Sequence, residues 1–268
     1  MAFWIGLAIF ILASIVAERL LPPQYKKFMP ILVMCVLTFF GLFRYEIGTD
    51  YDWYIVLFDT VKIDDLYPEP TFLLLVEFLH QFHFSYQVMF IAYELPIMLL
   101  LWSGIRYYTK DTEVQILIVA LYYCLQYFFS LNGIRQGLSM VLIFWGYRYC
   151  LERSLWKYLL VVALAASMHY SAVVAAVLYF VPNRVFSWYK YAIVFILTFI
   201  VFKLNIVLAF LSALFGILQV DGRYLNYLSD VDSVKMTGLY MFVQFGLFSI
   251  ARIAIMEMKP QYKGLLNL

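Results

Sequence analysis

Long, nearly uncharged runs of apolar residues are the feature that most restricts what this chain can fold into. They recur from residue 3 to residue 256, and several approach the length of about 20 residues that a helix needs to cross a bilayer. Hydrophobic residues make up 65% of the 268 positions and charged residues only 13%, whereas about 25% of a soluble domain is charged. The sequence lacks the short alternating segments typical of transmembrane β-barrels. We therefore predict an all-α, polytopic transmembrane helix bundle.

Charged residues and prolines divide the apolar runs into predicted membrane segments. The run at 71–102 carries polar residues in its middle and Pro96, and we interpret it as a short interfacial helix followed by one crossing. Either 155–181 dips into the membrane and returns as two half-helices, or it crosses once and 191–220 crosses twice. We expect about eight to ten segments within one integral membrane domain, residues 1–268. The predicted segments are 3–17, 28–43, 71–102, 114–129, 134–149, 155–181, 191–220 and 238–256.

The distribution of Lys and Arg in short loops predicts the orientation of these segments, because such residues are retained on the cytoplasmic side of a membrane. The basic loops are 19–27, 106–110, 148–157 and 259–263. We therefore predict that the N-terminus lies outside and the C-terminus inside. The regions predicted to lie outside are the acidic loop 44–70, the turn at Asn132 and the loop 221–235.

Several functional classes receive no support from the sequence. The net charge is +2, and the basic residues are scattered at helix ends, so no nucleic-acid partner is expected. The cysteines stand singly inside apolar runs, without metal-ligand spacing. Glu77, His80 and His83 recur at intervals of three residues, but their side chains would drift around the helix, and we interpret them as hydrogen-bonded interfacial groups. No metal and no cofactor is predicted.

Four polar clusters interrupt the apolar background on the predicted exterior side. Three of them carry an arginine, and an arginine at the centre of a membrane helix costs about 2.5–3.5 kcal/mol. An arginine embedded in a helix therefore needs a partner or an anionic ligand. The clusters are 43–51, 132–137, 167–171 and 221–227.

Individual residues within these clusters admit more than one interpretation. Arg135 opens an apolar run next to glycines that allow close helix packing, which favours burial and a ligand role. Arg44 stands at the end of a span, where snorkelling to lipid phosphate is the alternative. His169 is either a base or a hydrogen-bonded residue without chemistry. Asp50 is either a solvated loop acid or an acid that the turn at Gly48 aims at the site.

The polar clusters and their apolar flanks together resemble the EpsG-like family of bacterial exopolysaccharide and O-antigen (Wzy-type) polymerases. The segments that carry the resemblance are FRYEIGTDYDWY, YPEPTFLLL, NGIRQGLSMVLIFWGYRY and LVVALAASMHYSAVVAAVLYF. Members of that family usually continue through further spans, so this chain, which ends at Leu268, is expected to lack C-terminal spans relative to them. The positions that match family motifs are Arg44, Gly48, Asp50, Tyr51, Arg135, Gln136, His169, Ser171, Ala172 and, less closely, Arg223 and Tyr224.

The resemblance implies a GT-C-like glycosyltransferase that joins polyprenyl-diphosphate-linked repeat units on the exterior face of the bacterial inner membrane. Its expected partners are the lipid-linked oligosaccharide, membrane lipids and a chain-length regulator. Arginines meet diphosphate oxygens in a bidentate manner, and His169 suits proton transfer. Asp50 is the competing base, or the group that orients the base. The residues expected to bind diphosphate are Arg44, Arg135, Arg223 and Tyr224; those expected to be catalytic are His169, Asp50 and Arg135.

Two other functional classes remain as alternatives. A translocase of lipid-linked glycans, or another transporter, would use the exterior arginines to bind the diphosphate for passage. Such proteins usually place polar groups along both halves of the pathway, and the inward halves of these segments carry little charge. A membrane acyltransferase would also use a membrane histidine, but the sequence reveals no route for an acyl donor.

Overall fold

Helices account for every regular element that the computed structural model describes, over residues 2–62, 68–180 and 188–203. The chain divides into two compact units, 1–181 and 182–268, of which the second contains α12 within its described part. The α-helices are α1 Ala2–Leu20, α2 Pro23–Lys26, α3 Phe28–Leu42, α4 Tyr51–Thr60, α5 Pro70–Gln81, α6 Tyr86–Tyr108, α7 Thr112–Tyr122, α8 Phe128–Asn132, α9 Ile134–Gly146, α10 Arg148–Leu151, α11 Leu155–Met168 and α12 Trp188–Lys203. A π-helical turn, Tyr123–Tyr127, joins α7 to α8, and a 3₁₀ helix, Tyr170–Phe180, follows α11.

Long apolar helices confirm the predicted all-α, polytopic membrane bundle. Among the described residues, four helical segments are long and apolar enough to cross a membrane: Phe3–Leu20, Pro23–Leu42, Tyr86–Tyr108 and Thr112–Asn132. The total of eight to ten segments and the single 1–268 domain stay predictions, because 204–268, with the predicted segment 238–256 and the loop 221–235, lies outside the described residues.

The predicted division of the run at 71–102 is confirmed. The first helix, α5, ends at Gln81, and α6, which is long and apolar enough to cross a membrane, begins at Tyr86. His83 has φ +55° between them, a left-handed conformation that ends one helix and redirects the chain. Pro96 lies inside α6, which continues through it. The interfacial position of α5 stays a prediction.

Residues 155–180 turn back on themselves, as the first of the two predicted paths for the run at 155–181 requires. Its α-helix has 14 residues and the 3₁₀ helix has 11, lengths that correspond to about 21 and 22 Å. Arg153 Nη1 donates to the carbonyl of Tyr179 (3.2 Å), and the Tyr179 hydroxyl donates to the carbonyl of Arg153 (2.9 Å). The segment therefore ends beside its beginning, and His169 lies at the tip of a helical hairpin.

Hydrogen bonds between loops show which loops of the first unit lie at the same end of the bundle. At one end, Glu18 accepts from Thr112 (2.7 Å), and Arg19 forms an ion pair with Glu113 (3.0 Å). At the other end, Gln87 donates to the carbonyl of Leu42 (2.7 Å). The polar clusters at 43–51, 132–137 and 167–171 lie at this second end, which we call the polar end.

Candidate active site

Three charged or ionisable side chains from distant parts of the chain meet at the polar end. The Glu69 carboxylate lies between Arg135 and His169: Oε2 accepts from Arg135 Nη1, and Oε1 lies 2.8 Å from His169 Nδ1. We call Glu69, Arg135 and His169 the charged triad. Two of its members, Arg135 and His169, were predicted from the sequence, and the structure brings them to one carboxylate.

Helix ends position each member of the triad. Glu69 is the N-cap residue of α5, and Pro70 follows it, as is common at the first position of a helix. Arg135 lies in the first turn of α9, directly after the break at Gly133. His169 follows the last residue of α11 in an extended conformation, φ −157° and ψ 115°.

A second contact fixes the two helices that carry Glu69 and His169. Thr71 Oγ1 donates to the carbonyl of Ser167 at 2.6 Å. Thr71 and Ser167 each stand two residues from their triad member, so this bond keeps the start of α5 against the end of α11. The distance between the carboxylate and the imidazole is therefore held by backbone as well as by side chains.

Glu69 is the functional residue that the sequence interpretation missed. It belongs to the acidic loop 44–70, which we predict only to lie outside. The signal was the Glu-Pro pair that begins an apolar helical run, since an acid at a helix N-terminus also has a favourable interaction with the helix dipole. Glu69 is 2% exposed, and a buried acid requires a positively charged or donor partner.

The electrostatics of the triad keep Glu69 ionised. Burial by itself raises the pKa of its carboxyl, but the hydrogen bond from His169 and the charge of Arg135 outweigh burial and hold the pKa below its usual range. An ionised carboxylate accepts hydrogen bonds and donates none. The His169 ring must therefore donate from Nδ1, which leaves Nε2 of the neutral ring as a proton acceptor.

The triad opens to its surroundings at the histidine. The side chain of His169 is 29% exposed, against 9% for Arg135 and 3% for Glu69. Two aromatic rings enclose the guanidinium of Arg135, with centroids 5.7 Å (Tyr54) and 5.3 Å (Phe72) from its central carbon. A substrate that approaches the triad meets His169 first.

Tyr54 comes from α4, a helix inside the stretch that we interpreted only as a polar loop. Its buried residues, Tyr51, Tyr54, Leu57 and Phe58, follow helical spacing, and Trp53 on another face is exposed. The loop prediction overlooked this amphipathic pattern because acids interrupt it. As a result, α4 supplies an aromatic wall to the triad.

Asp50 binds the turn that precedes Arg135. Its carboxylate accepts from Asn132 Nδ2 (3.1 Å), and its backbone N–H donates to Asn132 Oδ1 (2.9 Å). Thr49 Oγ1 donates to the same Oδ1 (3.1 Å). These bonds make Asp50 an anchor of the Asn132–Gly133 turn, and its role as a base stays a prediction.

Gly48 allows the 43–51 loop to approach that turn. Its φ is +98°, and a Cβ placed on it would lie 2.8 Å from Asn132 Oδ1. We expect Gly48→Ala to lower the free energy of unfolding by about 1–3 kcal/mol, the cost of a strained backbone residue. Thermal unfolding of the purified protein measures this loss. The matched control is Gly6→Ala, where a Cβ meets nothing within 4 Å; equal melting temperatures for the two variants would contradict the prediction.

Arg44 is fully enclosed at the polar end, with 1% of its surface exposed. Nη1 donates to the carbonyl of Leu131 (2.7 Å), and the guanidinium lies 4.2 Å from the centroid of the Phe90 ring. It therefore ties the end of α3 to α8 and the polar end of α6. Diphosphate binding by Arg44 stays a prediction, and it requires a conformation in which this side chain is accessible.

Glu94 is a buried acid within the crossing α6. It is 1% exposed, and neither carboxylate oxygen has a hydrogen-bond partner in the part of the chain that the structure describes. Arg44 attracts it electrostatically, and Gly41 leaves room for it, because a Cβ there would overlap the carboxylate. Glu94 lies in the half of α6 nearer the polar end, and the expectation of little charge concerns the inward halves. At the opposite end of the bundle, Glu18 is a buried acid that accepts a hydrogen bond from Thr112.

Arg223 and Tyr224 lie outside the described residues. Within the described ranges, no group of three His, Cys, Asp or Glu side chains is arranged to hold a metal ion. His80 of the 77–83 pattern instead packs edge-on against Phe58, with ring centroids 4.6 Å apart.

Comparison with known proteins identifies the family of the chain. The family model described as the EpsG family matches residues 26–267, which is most of the chain. No curated protein and no solved structure matches it. The match includes all three members of the triad. The chain therefore belongs to the EpsG family, and this membership indicates a polymerase-type role in exopolysaccharide biosynthesis.

Proposed function

We propose that this protein is a polysaccharide polymerase that transfers glycan between polyprenyl-diphosphate-linked repeat units. The reaction takes place at the polar end of the bundle, on the exterior, periplasmic face of the bacterial inner membrane, with the N-terminus outside and the C-terminus inside. The single observation that carries the proposal is the hydrogen bond between His169 and Glu69 beside Arg135. Family membership supports the pathway.

His169 acts as the general base in this proposal. Glu69 accepts the Nδ1 proton, orients the ring and stabilises the imidazolium that forms. The acceptor hydroxyl oxygen attacks the anomeric carbon of the donor, and its proton passes to His169 Nε2. As the glycosidic bond forms, the bond from the anomeric carbon to the diphosphate oxygen breaks. The polyprenyl diphosphate leaves with the bonding electron pair.

Arg135 and the start of α9 stabilise the leaving group. The diphosphate gains negative charge as its bond breaks, and a fixed guanidinium nearby is worth more in the transition state than in the ground state. Arg135 lies in the first turn of α9, where the helix dipole adds positive potential. Because Arg135 and His169 share the Glu69 carboxylate, leaving group and base are held at a fixed separation.

Reconstitution tests the proposal directly. Proteoliposomes that contain the protein and lipid-linked repeat units of its host polysaccharide should form a ladder of longer glycans and release one polyprenyl diphosphate per linkage. Arg135→Lys should lose about 10²–10³-fold of this rate, because an ammonium ion cannot reproduce the bidentate contacts of a guanidinium. The matched control is Arg106→Lys, an exposed arginine near the opposite end of the bundle. Absence of any ladder with wild-type protein would contradict the proposal.

Translocation of the lipid-linked glycan is the second candidate function, and Glu94 favours it. A buried acid within a membrane helix commonly marks a pathway for ions or substrate. The same proteoliposomes distinguish the two functions. Transfer of repeat units between leaflets without a new glycosidic bond would identify a translocase, whereas chain growth from units supplied to a single leaflet would identify a polymerase.

A further inference from the structure

An apolar groove lies among α5, α6, α9 and α11, with lining residues that neighbour the triad in the chain. It has a volume of about 440 Å³. Its floor is the face of α9 formed by Leu138, Leu142 and Trp145, and its lining also includes residues of α5, α6 and α11. Only Thr71 and Tyr93 bring hydroxyl groups among the residues that line it. The groove therefore suits a hydrocarbon chain rather than a sugar.

The outer end of the groove adjoins the triad. Leu138 stands three residues after Arg135, a separation of about 4.5 Å along the helix axis. Thr71 and Met168 line this end, and each is within two residues of a triad member, Glu69 and His169 respectively. A hydrocarbon chain in the groove would therefore present its polar end to Arg135 and His169.

The lining also indicates how a lipid would reach the groove. Leu164 lines it and is 48% exposed, so the wall formed by α11 is open to the surroundings of the bundle. In a bilayer, those surroundings are acyl chains. A lipid can therefore slide in laterally without leaving the hydrocarbon phase.

We infer that the groove binds the diphosphate-proximal isoprene units of the lipid-linked donor. This inference rests on the proposed function for the identity of the lipid. The occupant must combine a hydrocarbon chain with an anionic end, because the groove is apolar and the residues at its outer end, Thr71, Leu138 and Met168, stand one to three positions from a member of the charged triad. Contacts along α6, α9 and α11 then hold the diphosphate ester oxygen, and with it the anomeric carbon, within reach of His169.

Photolabelling tests the inference without requiring turnover. The probe is a polyprenyl diphosphate that carries a diazirine in its first isoprene unit, added to purified full-length protein in phosphatidylglycerol vesicles. We expect labelled peptides from 138–145 and 164–168, and competition by unlabelled polyprenyl diphosphate. Leu100→Trp, which fills the groove, should reduce this labelling about tenfold, the loss expected when about two buried methylene groups lose their contacts.

The neighbouring residue supplies the matched control. Leu99 is 60% exposed and does not line the groove, so Leu99→Trp should label like the wild type. Equal loss in both variants, labelling spread over the exposed leucines, or equal competition by phosphatidylglycerol would overturn the inference. Failure of the proposed function gives a different result: the groove would still be labelled and blocked by Leu100→Trp, while the proteoliposomes would form no ladder.

Discussion

His169→Ala should reduce chain elongation by at least about 10²-fold, because a positioned general base contributes about 10²–10⁴-fold to a reaction rate. The variant should still fold. His169 lies at the tip of a hairpin with 29% of its side chain exposed, and its removal leaves Glu69 paired with Arg135. Both buried charges therefore keep an ionic partner, and the loss of activity would report on chemistry.

The measurement is the length profile of polysaccharide from cells that carry only the variant, with its level in the membrane measured by immunoblot. We expect single lipid-linked repeats in place of long chains. The matched control is His83→Asn, because His83 is exposed and asparagine tolerates its positive φ. Polysaccharide chains of normal length from the His169→Ala variant would show that the reaction does not need this histidine.

Glu69→Gln should destabilise the protein and abolish elongation together. The substitution leaves Arg135 buried without its carboxylate, and breaking a buried ion pair at one partner costs about 3–5 kcal/mol. It also removes the group that orients His169. Glu77→Gln is the matched control, since Glu77 is an exposed acid on the same helix α5.

The double variant Glu69→Gln with Arg135→Met separates the structural from the chemical effect. With both charges removed, no unpaired charge remains buried, so the melting temperature should recover toward that of the wild type. Elongation should stay absent, because no guanidinium stabilises the leaving group and no carboxylate orients His169. Recovery of elongation along with stability would show that the triad is only structural.

The pH dependence of stability provides an independent check on Glu69. Its pKa is held below the usual range in the folded protein, so its contribution is present above the unfolded value, about 4.3, and is lost as pH falls through the folded pKa. The difference in melting temperature between wild type and Glu69→Gln should therefore be largest near neutral pH and shrink below pH 4. A difference that grows on acidification would contradict this assignment.

Local patterns in the sequence predicted Arg135 and His169 but gave each of them two interpretations. Their meaning depends on Glu69, which lies 66 residues from Arg135 and 100 residues from His169 along the chain. Neither hydrophobic periodicity nor motif spacing indicates a contact between residues so far apart in the chain. Arg44 shows the same limit. Its burial depends on Phe90 and Leu131, which belong to helices much farther along the chain.

The sequence by itself determined that this protein is a helical membrane bundle, where several of its helices begin and end, and to which family it belongs. These properties follow from composition and short-range pattern, because hydrogen bonding in a bilayer must be satisfied within each helix. Only the tertiary structure decided that Glu69 joins Arg135 to His169, that 155–180 folds back on itself, and that an apolar groove lies between α5, α6, α9 and α11. Those features depend on which helices pack together, and packing is set by side chains far apart in sequence.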